Sequence, residues 1–328
     1  MQNPVITIFE VSMGYAVSRC MHVIAELGVA DALGDEVQTA AQLARITGTN
    51  AGALDRALRV LSSYGVFEAR NDGYAHNAAS RLLRSKDPQS MRAYVRWIGS
   101  EVDWKSMEEL AHSIRTGEPA ANVVTPGGTW EYLAQHPEWS EIFDQAMTGK
   151  ANGQISTILK NYNFSTFKTI ADIGGGRGHL LKAVVESTPG ARGVLFDQPH
   201  VVAEFADTTR GRIAVQGGDF FNDALPACDA YLIMQVIHDW SDAESIAILK
   251  AIRRAAPPHA KLLLIEAILP EESKPDWVQM LDIFMLIMLS GKERTRREFA
   301  ALLGASGFRL DRTIDAGLGT WILEASAI

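Results

Sequence analysis

The stretch Ile170-Ala171-Asp172-Ile173-Gly174-Gly175-Gly176-Arg177-Gly178-His179-Leu180 decides how the chain is read. An apolar run ends in a tight turn with four glycines in five positions, and a helical pattern follows. Such a turn needs glycine because the backbone reverses sharply and a ligand can touch bare peptide. Nucleotide-binding strand–turn–helix units share this logic. Gly174, Gly176 and Gly178 give G-x-G-x-G, whereas the dinucleotide fingerprint wants its third glycine where His179 stands. That spacing disfavours a nicotinamide cofactor.

Outward from this turn, short apolar runs alternate with helical stretches. Strands are expected over 169–173, 193–196, 212–216, 230–236 and 261–268, with two late strands over 309–315 and 320–325. This alternation marks an α/β domain with a largely parallel sheet covered on both faces. Towards the N-terminus the pattern is helical over 15–33, 39–46 and 53–64. Thr39 and Gln42 form a capping box. A hairpin with an Asp72-Gly73 turn is expected over 66–74, which completes a winged-helix pattern. Residues 88–165 again read as mainly helical, with a loop at Pro126-Gly127-Gly128. The run 277–289 reads as a buried helix, being shorter than the roughly 20 apolar residues that span a bilayer. The expected division is 1–100, a linker over 101–165, and 166–328.

Candidate functional residues fall at the ends of the expected strands. Asp172 precedes the glycine turn, a placement typical of S-adenosylmethionine sites. Asp197 ends the second strand and can accept from both hydroxyls of a ribose. Asp219-Phe220 follows the third strand, where an acid can take an adenine amine and a ring can stack on the base. The fourth strand is expected to end at His238, and Ser241 with Glu244 caps the next helix. In an open α/β sheet the ligand crevice lies at this edge, where strand order reverses. If 230–236 is the fourth strand, His238 faces the ligand of the glycine turn. A phenol has a pKa of roughly 10 and needs deprotonation before it attacks; a histidine near 6.5 is a suitable base. Glu266 interrupts an apolar run, where a carboxylate is costly unless paired. Glu293 follows the 277–289 helix. Either can orient the imidazole or pair with a nearby Arg or Lys, and spacing alone does not choose.

With these motifs the chain resembles the plant-type and bacterial small-molecule O-methyltransferases, the group of caffeic acid and hydroxyindole O-methyltransferases. The resemblance covers nearly the whole length. It rests on the ordered set Asp172-Ile-Gly-Gly-Gly-Arg-Gly178, Phe196-Asp-Gln-Pro-His200, Gly218-Asp-Phe-Phe221, His238-Asp-Trp-Ser-Asp242 and Gly291-Lys-Glu-Arg-Thr295. It implies a Rossmann-like class I methyltransferase domain, with a parallel sheet and an antiparallel last strand. It also implies an N-terminal winged-helix dimerisation domain whose partner closes the active site. The cofactor implied is S-adenosylmethionine, with no metal. His238 is the implied general base, flanked by Glu266 and Glu293. The implied cofactor contacts are Asp172, Gly174 and Gly176, Asp197 on the ribose with Gln198 beside it, and Asp219 and Phe220 at the adenine. Plant members carry a Lys four residues before the His; here Met234 stands there, with Gln235 as a polar substitute. The acceptor pocket implied is Phe143, Met147, Ile283, Phe284 and Met288, an apolar lining without an Arg or Lys to hold a carboxylate. A neutral phenolic or polycyclic acceptor is therefore expected.

Composition narrows the class further. The 328 residues are 47% apolar and 21% charged, with net charge −8. Residues 1–90 hold 8 basic and 9 acidic side chains, which suits a protein interface better than a phosphate backbone. A winged-helix regulator of DNA is thereby disfavoured, and so is a membrane protein. Cys20 and Cys228 cannot build a disulfide framework, and the first basic residue is Arg19, so a cytoplasmic enzyme is expected. A relative that keeps the cofactor but decarboxylates or hydroxylates its substrate is disfavoured by the intact His238.

Overall fold

The computed structural model describes residues 3–203, 205 and 207–328. The chain divides into two compact units. One holds the chain up to Lys105 together with Trp130–Lys150; the other holds Ser106–Thr129 and Ala151–Ile328. The 101–165 segment is therefore shared between them, and the last of the three boundaries falls inside the helix Pro137–Asn161.

In the first unit, α1 (Pro4–Glu26) starts with Pro4 at its first position and Asn3 as cap. It begins well before the expected 15, because Ile8, Phe9, Val11 and Met13 are all exposed and leave no buried face to set a helical period. The single helix expected over 15–33 is broken: Gly28 at φ 65° separates α1 from α2 (Val29–Leu33). α3 (Ala40–Thr47) carries the Thr39–Gln42 capping box, and α4 (Ala51–Ser63) is capped by Asn50. The hairpin pairs β1 (Phe67–Arg70) with β2 (Gly73–His76). Its turn is Asn71-Asp72 rather than Asp72-Gly73, because Gly73 already pairs with Arg70 while Tyr74 bridges to Gln38. Leu33, Leu43, Leu58, Leu61 and Phe67 form the core of this winged-helix arrangement.

The second unit is built on seven strands: β3 (Thr169–Ile173), β4 (Arg192–Asp197), β5 (Ile213–Gly217), β6 (Ala230–Met234), β7 (Lys261–Glu266) and, past the two-residue pair β8 (Ile268–Leu269) and β9 (Arg294–Thr295), β10 (Phe308–Gly317) and β11 (Thr320–Ala327). Their order is β10-β11-β7-β6-β3-β4-β5. The pairs β3–β4, β4–β5, β3–β6 and β6–β7 are parallel, and β11 is antiparallel to both neighbours. Burial on both faces explains the unbroken apolar runs. Tyr231, Ile233, Leu262 and Leu264 meet Ile248, Ile252, Phe299 and Leu303 on one side. Leu232, Leu263 and Ile265 meet Ile158, Leu181 and Val184 on the other. The chain runs from β3 to β4 and β5 in one direction, then returns to β6 beside β3, so the strand order reverses between β3 and β6. No helix among the described residues is long and apolar enough to cross a membrane.

Candidate active site

The edge of the sheet at this reversal carries two turns. The glycine turn follows β3. Gly174 donates its N–H to the Phe196 carbonyl (2.8 Å), and Gly176 sits at φ 56° with open space where a Cβ would be. Asp197, at the end of β4, uses Oδ2 to accept from Gly176 N–H (2.8 Å) and Oδ1 to accept from Gln198 N–H (2.7 Å). Each carboxylate oxygen has a second lone pair for a ligand hydroxyl. Asp172 is buried and its Oδ2 has no protein partner. Burial, reinforced by the Asp197 charge, pushes its pKa up to about 7. A buried oxygen in this state is costly unless a donor is brought to it. The expected S-adenosylmethionine therefore fits: bare backbone, a carboxylate with spare lone pairs and an orphaned acceptor meet at one turn.

Asp219 is exposed, and its carboxylate accepts from Phe221 N–H (2.9 Å) and the Asn222 amide (2.6 Å). Phe220 packs edge-on against Phe221 (4.9 Å) and Trp240 (5.8 Å).

The second turn follows β6 and differs from expectation. The strand stops at Met234, not His238. Gln235 adopts φ 52°, a left-handed conformation costly for a side-chain-bearing residue. His238 then lies in a 3-10 turn, Ile237–Asp239. The two glutamates have separate tasks. Glu293 Oε1 lies 2.7 Å from His238 Nδ1. Glu266, which is fully buried, does not bond the ring; its Oε1 accepts from Val236 N–H (3.2 Å) and Ile237 N–H (2.9 Å). It thereby ends the strand and starts the turn. Burial, the largest influence, pushes the Glu266 pKa up to about 7.

The imidazole is not the ordinary one near 6.5. Burial alone would push its pKa down, but the carboxylates of Asp239, Glu266 and Glu293 outweigh that and bring it up to about 9. Two residues not singled out from the sequence take part. Asp239 Oδ1 lies 3.4 Å from His238 Nε2. Asp282 accepts from Glu293 N–H (2.8 Å). Asp239 stands within the His-Asp-Trp motif and could have been found from it; Asp282 interrupts the apolar run 277–289 as Glu266 interrupts its own, and could have been found in that way. Among the described residues no cluster of His, Cys, Asp and Glu is arranged for a metal ion.

The expected acceptor residues differ in accessibility. Ile283 is exposed and Phe284 half-buried on the helix Trp277–Met288. That helix is not wholly buried, since Trp277, Met280 and Ile283 share an exposed face. Met288 is buried, and its carbonyl accepts from the Thr129 hydroxyl (2.9 Å). Phe143 and the half-buried Met147 belong to the first unit. There Phe143 packs edge-on against Trp97 (5.1 Å) and Trp130 (5.9 Å).

Comparison with known proteins agrees with this architecture. Residues 107–309 match the family described as the O-methyltransferase domain, and residues 9–86 match the O-methyltransferase dimerisation domain. The chain is 40% identical to the phenazine O-methyltransferase PhzM of Lysobacter antibioticus, over 96% of this chain and 94% of that one. It is 34% identical to the mitomycin biosynthesis 6-O-methyltransferase of Streptomyces lavendulae, over 95% and 91% of the two chains. Among solved structures, the methyltransferase CalO1 of calicheamicin biosynthesis, in its SAH-bound form, superposes with a TM-score of 0.92 at 30% identity, covering all of both chains. The chain belongs to the S-adenosylmethionine-dependent O-methyltransferase family.

Proposed function

We propose that this enzyme methylates a phenolic hydroxyl of a small, flat aromatic or polycyclic metabolite, with His238 as the general base. The observation that carries the reading is the buried His238 Nδ1–Glu293 Oε1 contact at 2.7 Å. When bound, S-adenosylmethionine supplies a methyl group already activated on its sulfonium. Asp172, Gly174, Gly176, Asp197 and Gln198 would hold it, with Asp219, Phe220 and Gln235 as further contacts. The protein's remaining task is to remove the acceptor's proton. Glu293 accepts the Nδ1–H of His238, which leaves Nε2 to take that proton. An imidazole raised to about 9 is a stronger base towards a phenol at roughly 10, and it must first lose its own proton, so the base form gains as pH rises towards that value. Glu266 holds the turn backbone, and Asp239 offers a charge on the Nε2 side.

The phenazine enzyme's identity and the apolar Ile283 and Phe284 support a neutral, flat acceptor. Residues 9–86 and the exposed apolar face of α1 support a homodimer. The free Cys20 and Cys228 suit a cytoplasmic setting. The test is a panel of hydroxylated phenazines, quinones and simple phenols with labelled cofactor, read by mass, on wild type and His238→Ala. Wild type should methylate at least one. The variant should lose about 100-fold or more in turnover while binding S-adenosylhomocysteine as wild type does. Equal turnover on the same acceptor would refute His238 as the base.

A further inference from the structure

Glu293 is one member of the segment Gly291-Lys-Glu-Arg-Thr295, and a second member also closes on the His238 turn. The turn has few bonds of its own: Asp239 N–H to Val236 O at 3.1 Å and Trp240 N–H to Ile237 O at 3.3 Å. On its N–H side Glu266 holds Val236 and Ile237. On its carbonyl side lies Arg294, which exposes no surface. Arg294 Nη1 donates to Ile237 O (3.0 Å) and Lys292 O (3.3 Å). Nη2 donates to Trp240 O (2.8 Å), Asp242 Oδ1 (2.9 Å) and Ser245 Oγ (3.3 Å), and Nε to Asp242 Oδ1 (3.0 Å).

All three guanidinium nitrogens are thus engaged, two of them on carbonyls that bracket His238. A wholly buried cation is expensive, and an apolar residue of similar volume often serves stability as well or better. Its counter-charge, Asp242, has a side chain about half exposed, so the ion pair does not by itself account for the burial. What the guanidinium does that an apolar residue cannot is grip the carbonyls before and after His238 in one planar fork.

We propose that Arg294 is a positioning residue for His238, fixing the turn through the Ile237 and Trp240 carbonyls so that the imidazole stays within reach of Glu293. The proposal rests on the reading of His238 as the base. A lysine has no planar fork and cannot bridge both carbonyls and Asp242 together, so the conservative variant is the informative one. A misplaced catalytic group costs up to about 100-fold.

The experiment compares wild type, Arg294→Lys and His238→Ala. In cofactor-free protein with ¹⁵N-labelled histidine, the Nδ1–H signal of His238 bonded to Glu293 should be sharp in wild type and lost or strongly shifted in Arg294→Lys. In turnover, Arg294→Lys should lose about 30-fold or more in kcat, with KM for both substrates and the Kd for S-adenosylhomocysteine within about twofold of wild type. A variant that keeps the imidazole signal and kcat, and loses only thermal stability, would overturn the proposal. If His238→Ala retains turnover while Arg294→Lys loses the signal, the base reading fails and the positioning role stands. Should Arg294→Lys not fold, Asp242→Asn loosens the fork instead, because it removes the carboxylate that aligns Nε and Nη2. Its kcat should fall about fivefold with a weakened imidazole signal, and an unchanged signal would overturn the proposal.

Discussion

The turn after β3 and the turn after β6 stand side by side where the strand order reverses, and they are built in opposite ways. The first is nearly all backbone. Gly176 leaves open space, while Gly174, Gly175 and Gly178 let neighbouring side chains close in, and the turn's carboxylates keep unspent acceptor capacity, as at Asp172 and Asp197. The second is crowded by side chains. Glu266 takes its N–H groups, Arg294 its carbonyls, and Glu293 its imidazole. A ligand-binding turn must leave groups unsatisfied until the ligand arrives, whereas a proton-transfer turn must hold one atom in one place. Two glycines make the contrast sharp. Gly176 has room for a side chain but a backbone angle that disfavours one. Gly291 is the reverse: no left-handed angle requires glycine there, but a Cβ would collide with the His238 carbonyl oxygen.

Gly291→Ala should therefore have the largest effect. The methyl group has nowhere to go without displacing the His238–Asp239 peptide, so turnover should fall about 100-fold or more while S-adenosylhomocysteine still binds. Activity near wild type would show that the His turn shifts at little cost, and the contrast between the two turns would collapse.

The next effect is on pH. The imidazole holds its proton up to about pH 9 in the folded chain and to 6.5 as a free group. Log kcat/KM for the acceptor should rise with pH until about 9. In Glu293→Gln that limb should move down towards 6.5, because a raising carboxylate is gone. The same proton stabilises the fold: its contribution is complete below pH 6.5 and fades as pH rises through about 9. Chemical denaturation at pH 6 and pH 9.5 should show wild type losing more stability over that interval than Glu293→Gln. A pH profile identical in both would remove Glu293 from the imidazole's electrostatics.

The smallest effect is expected at Gly176→Ala. A left-handed alanine costs about 1–2 kcal/mol, and nothing obstructs its methyl group. A modest fall in Tm with an intact fold should follow, together with weaker S-adenosylhomocysteine binding by calorimetry, since the methyl group enters the space left for the ligand. Unchanged binding would mean that the ligand does not approach this backbone.

Much of this molecule was written in neighbouring residues. The glycine turn, the Thr39–Gln42 and Ser241–Glu244 capping boxes and the alternation of strand and helix all depend on contacts a few positions apart. Such contacts are legible in one dimension because local geometry obliges them. The start of α1 was not legible, since its first turns bury no face. The end of β6 was not legible either. An apolar run through Val236 and Ile237 reads as continued strand, and only Glu266, 30 residues on, withdraws those N–H groups from the sheet.

The glycine turn that opened the reading, with the ordered motifs around it, was sufficient for the fold class and the S-adenosylmethionine-dependent chemistry. Tertiary structure decided the division of labour at His238: which glutamate touches the ring, which holds the backbone, and why Gly291 and Arg294 share a segment with Glu293. The physical reason is that a buried charge is settled by whatever strand crossing brings to it. The separation of 55 positions from His238 to Glu293 carries no local rule that says which partner arrives.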